Sequence, residues 1–257
     1  NLYFKINLYL NLIMDNPKII WIDVGTHFGQ EYKSIFSYDS YFFWKLFRRF
    51  IGSKFLLRGK FLSFEELIRL NKIRSILKKN KKQFYFTFIE ANQKILQMKV
   101  YSEANDVFCL ALGESNEFKI GKLFHVDEDH TSQGNSIYDS KSNVSTDNFT
   151  TCIISKPLSF ANEYKNYLDK LYSNYKIVLR INCEGSEDDV IYAFRNCFKK
   201  KFKHIFGSLK DVKTVKGEGA FKKMMTFLKD NKIIYVDFSS SVETWPNAFS
   251  KLHKILN

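Results

Sequence analysis

The stretch that most constrains this chain is residues 19–30, read as IIWIDVGTHFGQ. The mostly apolar residues Ile19 to Ile22 end in Asp23, and after Val24 the chain enters a loop of Gly25, Thr26, His27, Phe28 and Gly29. An apolar run that stops at an acid and breaks into a glycine loop reads as a buried parallel strand entering a helix. The loop then lies at the carboxyl end of that strand, where open α/β sheets bind ligands. Gly25 lacks the Cβ that would hold a ligand off the backbone, and Gly29 lets the next helix pack closely. The two glycines stand four apart, so the loop is neither GxGxxG nor GxxxxGK[ST].

The same alternation continues downstream. A helix is expected through Lys33 and Ile35, and another from Ser63, which with Glu66 forms a capping box ahead of Leu67, Leu70, Ile73, Ile76 and Leu77. Residues 83–89 form a second strand, ended by Glu90. A carboxylate there accepts two hydrogen bonds from a ribose diol, as the acid after the second strand does in dinucleotide folds. Glu90 stands far beyond the roughly 20 residues usual after the glycine loop. An aromatic and basic insertion at about 38–82 accounts for the gap. Further strands are expected at 107–112, 118–124, 177–181, 202–209 and 233–238, with an extended piece at 151–158. Helices are expected at 187–196, at 220–230 and at the end, where Phe249, Leu252, Ile255 and Leu256 share one side. Strands alternating with helices imply a mostly parallel central sheet covered on both faces.

The 257 residues suit one α/β domain with an insertion, or two small domains. A single domain over 1–257 is the simpler expectation. The net charge of +13 favours anionic partners, whether nucleic acid, an acidic glycan or an anionic membrane surface. Residues 45–82 hold thirteen basic side chains against two acidic ones, so most of that charge sits in the insertion. No segment reaches the roughly 18 apolar residues of a membrane span. Residues 1–14 read as a first helix packing on the sheet rather than a signal peptide. The four cysteines form no CxxC pair and sit largely in apolar runs, which suits reduced core residues in a cytoplasmic protein. HVDEDH at 125–130 sets two His around three carboxylates, but that spacing suits neither one helix face nor one strand face, and no metal is assigned.

Four ordered pieces, IDVGTHFG, FTFIEAN, FCLALGES and VLRINCEGSEDDVI, together resemble the FkbM-type family of S-adenosylmethionine-dependent methyltransferases. The resemblance implies a Rossmann-like class I methyltransferase fold, S-adenosyl-L-methionine as cofactor, and O-methylation of a hydroxyl on a sugar, glycan or related small molecule. By position, Asp23, Gly25, Thr26 and Gly29 would form the cofactor loop. Glu90, Ala91 and Asn92 would hold the ribose, and Asn105, Ala111 and Leu112 would lie near the adenine. Glu184 matches the acid at the mouth of the fourth strand and is the first candidate base, with His27 second. Ser136 matches a serine reaching the active site. Asn182 departs from the pattern, since the family has Asp there and an amide cannot act as a base. It is left to orient the substrate. Arg48, Arg49 and Arg58, in the insertion, would draw in an anionic acceptor.

Three other readings stand beside this one. A dehydrogenase would share the fold but lacks its GxGxxG. A nucleic-acid methyltransferase suits the charge, yet prolines occur only at 17, 157 and 246, which excludes Asn/Asp-Pro-Pro-aromatic and Pro-Cys motifs, and Asn182 replaces the Asp of ribose-methylating enzymes. A non-catalytic, partner-binding chain on the same fold is the third.

Overall fold

The computed structural model describes residues 17–37, 40, 42–43, 64–126, 134–238 and 245–256. In chain order the elements are β1 (Ile19–Val24), α1 (Gln30–Phe36), α2 (Phe64–Lys79), β2 (Phe84–Glu90), β3 (Asp106–Cys109), β4 (Ala111–Leu112), β5 (Phe118–Phe124), β6 (Phe149–Ser155), α3 (Pro157–Leu171), β7 (Lys176–Ile181), α4 (Glu187–Phe198), β8 (Phe202–Gly207), α5 (Asp211–Lys216), α6 (Glu218–Asp230), β9 (Ile234–Asp237) and α7 (Trp245–Leu256). Six strands form one sheet in the order β3-β2-β1-β7-β8-β9. Every neighbouring pair in it is parallel. The chain steps outward from β1 to β3, then returns to β7 and steps outward the other way. The two halves therefore meet between β1 and β7, a topological switch point.

The pleat of β1 divides the core. Ile19 and Trp21 point to the face covered by α1, α2 and α7, through Tyr32, Ile35, Leu70, Leu77, Phe249 and Leu252. Ile20, Ile22 and Val24 point to the other, through Ala161, Leu168, Val190, Phe194, Met224 and Leu228 of α3, α4 and α6. Strands buried on both faces must be apolar nearly throughout, as all six residues of β1 are buried. Trp21 packs edge-on to Phe206 with ring centroids 5.0 Å apart. A large apolar side chain buried this way contributes about 1.5–3 kcal/mol.

The α/β class, the parallel sheet and its covering helices agree with the sequence expectation. Three elements differ. The strand expected at 107–112 breaks at Leu110: β3 stays in the main sheet, while β4 joins a second sheet of order β4-β6-β5. The extended piece at 151–158 ends at Ser155, and Pro157 opens α3 in its first turn, where a missing N–H costs nothing. Helix α5 was not anticipated. Cys109 is exposed on the edge strand β3, whereas Cys152 and Cys197 are buried as expected. The helix expected at 1–14, the Ser63 cap, residues 127–130 of HVDEDH, and Arg48, Arg49 and Arg58 lie outside the described residues. Among the described residues no helix is long and apolar enough to cross a membrane.

Candidate functional site

The loops leaving the carboxyl ends of β1, β2, β3, β7 and β8 surround a cavity of about 580 Å³ at the switch point. Gly25, His27, Glu90, Ala91, Ala111, Leu112, Asn182 and Glu184 line it, so eight of the expected site residues converge there. The second sheet contributes Leu123 to the wall.

The glycine loop is shaped by its neighbours. Gly25 has φ +70, and a Cβ there would overlap the carbonyl oxygen of Asn182 at the end of β7. Its lack of a side chain thus serves contact between adjacent strand ends, at a position that also lines the cavity. Gly29, at φ +60, would press a Cβ onto Val100. Its close packing is therefore against the turn after β2. Thr26 is buried, its Oγ1 donating to the Asp23 carbonyl at 2.9 Å. The Gly25 and Thr26 amides donate to Ile89 O at 2.9 and 3.3 Å, tying the loop to the end of β2.

Glu90 ends β2 at the cavity edge. Its Oε2 accepts the His27 amide at 2.9 Å, and its Oε1 accepts the Asn92 amide at 2.9 Å. A carboxylate offers about four lone-pair sites, so each oxygen retains acceptor capacity. Burial raises the Glu90 pKa, opposed by these backbone donors and by Arg180. Asn92 does not line the cavity; its Oδ1 accepts the Lys94 amide at 3.1 Å, capping a short helical turn. His27 adopts φ 51. Tyr101 holds its carbonyl from behind through a hydroxyl donating at 2.7 Å.

Beneath the loop lies an ionic cluster that sequence reasoning missed. Arg180, paired in register with Asp23 across β1 and β7, donates to Asp23 Oδ1 at 3.2 Å and to the Gly25 carbonyl. Its Nη2 lies 3.0 Å from Glu31 Oε2. All three side chains are buried. Burial pushes the Asp23 carboxyl up to about 7, with Arg180 opposing and Glu31 adding to the rise. Asp23 does not line the cavity; it anchors the loop from below. The missed signal was a charged residue within the apolar run KIVLRI.

The opposite wall is built around Glu184, at φ 57. Its carboxylate pairs with the buried ammonium of Lys141, which also donates to Gly134 O at 2.8 Å. Asn182 Nδ2 donates to Glu184 Oε1 at 3.2 Å, and Ser136 Oγ donates to the Glu184 carbonyl at 2.8 Å. Glu187, fully buried in the first turn of α4, accepts the Cys183 and Gly185 amides at 2.9 Å each. Burial raises both acids: Glu184 upward against the pull of Lys141, and Glu187 to about 8. Asn182 therefore orients the carboxylate of Glu184. An Asp at that position would set two carboxylates against each other, a physical reason for the amide here.

Other expected residues fall elsewhere. Asn105 precedes β3, at the amino end of the sheet, where its Oδ1 accepts the Phe86 amide at 2.8 Å; it is not a wall of the cavity. Ser136 is buried behind Glu184 and acts on its backbone. None of residues 64–82, the described part of the basic insertion that contains α2, lines the cavity. Lys141, Lys210, Asp211 and Thr214 do line it and were not anticipated. Comparison with protein-family models, with curated proteins and with solved structures finds no match for this chain.

Proposed function

We propose that the chain is an S-adenosylmethionine-dependent O-methyltransferase that acts on a hydroxyl of a sugar, glycan or related small molecule. The observation that carries this reading is the charge at the β1–α1 turn. Two carboxylates, Asp23 and Glu31, pair with one guanidinium, Arg180, and a third, Glu90, accepts the His27 amide of the turn. A dinucleotide fold lays a pyrophosphate on this turn. Glu31 in the first turn of α1 opposes such an anion. The same field favours a sulfonium cation.

The residues present fit this cofactor. Glu90 keeps acceptor capacity on both oxygens for a ribose diol. Leu110, Ala111 and Leu112 give an apolar wall for a purine. When bound, S-adenosylmethionine supplies a methyl group activated by its sulfonium. The chain's own part is positioning and proton acceptance. Glu184 takes the proton of the acceptor hydroxyl, while Lys141 and Asn182 fix its carboxylate. Ser142, Asn143, Asp211 and Thr214 offer the hydrogen-bonding groups that a polyol acceptor needs. A cytoplasmic setting suits the four unpaired cysteines. Incubating the protein with labelled cofactor and a panel of sugars, then reading methyl incorporation by mass spectrometry, tests the reaction. Incorporation lost in Glu184→Gln supports it, and full turnover in that variant removes Glu184 as the base.

A further inference from the structure

A second cavity, of about 600 Å³, opens at the amino end of the sheet. Lys165 and Asp169 of α3, Arg195 of α4 and the turn Lys199, Lys200, Lys201 before β8 line it. Asp169 is committed: Lys165 and Lys201 each reach its carboxylate at 2.6 Å, and the Tyr175 hydroxyl donates at 2.7 Å. Arg195, Lys199 and Lys200 have no acidic partner among the described residues. The Arg195 Nε is itself buried and has no acceptor among the described residues.

Helix ends alone do not account for this charge. In a parallel α/β fold the helix C-termini gather at this edge, and α3, α4 and α6 all end near the cavity. Each helix end carries about half a negative charge. Three such ends and Asp169 amount to roughly two and a half negative charges, against five cations. The remaining excess sits in a concavity whose size falls in the range of small-molecule sites, about 300–1,000 Å³. A guanidinium and two ammonium groups lining one concavity offer the charged donors that adjacent phosphoryl oxygens accept. Lys199 adds a further mark. It adopts φ 46, a left-handed backbone that L-residues avoid unless the surroundings require it.

We propose that this cavity is a binding site for a compact soluble anion with two or three adjacent phosphoryl groups, independent of the carboxyl-edge site. The test uses the intact protein, with tripolyphosphate as probe, by titration calorimetry at low salt. The wild type should bind it, more weakly as salt rises, because exposed charges are screened over about 8 Å at physiological ionic strength. The double variant Lys199→Glu/Lys200→Glu should lose about tenfold or more in affinity, the scale of one charged hydrogen bond. Lys199→Gly removes one cation while relieving the left-handed backbone, so it should weaken binding without lowering the melting temperature. Glu90→Gln, at the other cavity, should leave tripolyphosphate binding unchanged. No binding to the wild type, or equal binding by wild type and both lysine variants, overturns the proposal. A single-stranded RNA oligonucleotide forms the second arm. If RNA binds far more tightly than tripolyphosphate and is lost in the same variants, the surface is a nucleic-acid track and the proposal is wrong.

Discussion

Glu184 is held in a conformation its residue type does not favour. A left-handed backbone costs a non-glycine residue about 1–3 kcal/mol, and here Ser136, Lys141 and Asn182 together offset it. Lys141→Met would leave Glu184 buried without its cation, so the folded state should lose about 3 kcal/mol, read by urea denaturation. Asn182→Asp places a second carboxylate beside Glu184 and should lower the melting temperature more at pH 8 than at pH 5. An equal loss at both would contradict the geometry. Glu187 gives a pH prediction whose sign follows from its raised pKa. Its folded-state value of about 8 lies above the ordinary 4.5, so the folded chain holds a proton that the unfolded chain releases. That stabilisation is full below about pH 4.5 and lost as pH rises to about 8. Asp23 acts in the same sense up to about pH 7. His204 acts in the opposite sense: burial lowers it to about 4, so stability falls as pH drops from 6.5 toward 4. Glu187→Gln should therefore lessen the fall in stability between about pH 4.5 and 8 and leave the acid limb in place.

At the scale of elements, the turn after β1 is the least replaceable piece of backbone. Gly25→Ala combines φ +70 with overlap of the Asn182 carbonyl, so the β1 and β7 ends must part. A loss of about 2 kcal/mol or more is expected, visible as a lower urea midpoint. The strands were legible because a buried parallel strand is an apolar run closed by polar residues, as IIWIDV and FYFTFIE are. Helix α3 was not legible in the same way. Its buried face is Pro157, Ala161, Tyr164 and Leu168, at helical spacing but weakly apolar, and it directly follows a strand. The break at Leu110 was hidden because a strand that changes sheets keeps an apolar pattern through the crossing.

For the whole molecule, the sheet order sets where the chemistry is. Residues spread from Gly25 to Thr214 meet in one cavity because β1 and β7 are neighbours while the chain diverges on either side of them. The acids Glu90 and Glu184 were legible because one ends an apolar strand and the other stands three residues past the end of one. Lys141 and Arg180 were not: one comes from a polar loop, and the other's role depends on a register only the folded sheet defines. On the proposed function, the carboxyl-edge cavity takes a cationic, ribose-bearing cofactor and rejects a diphosphate. Calorimetric titration of the protein with S-adenosylmethionine, S-adenosylhomocysteine and NAD tests it most directly. Micromolar binding of the first two is expected, on the order of −8 kcal/mol, weakened by about 1.5–3 kcal/mol in Glu90→Ala, with no binding of NAD. Binding of NAD, or no binding of either S-adenosyl compound, would contradict it.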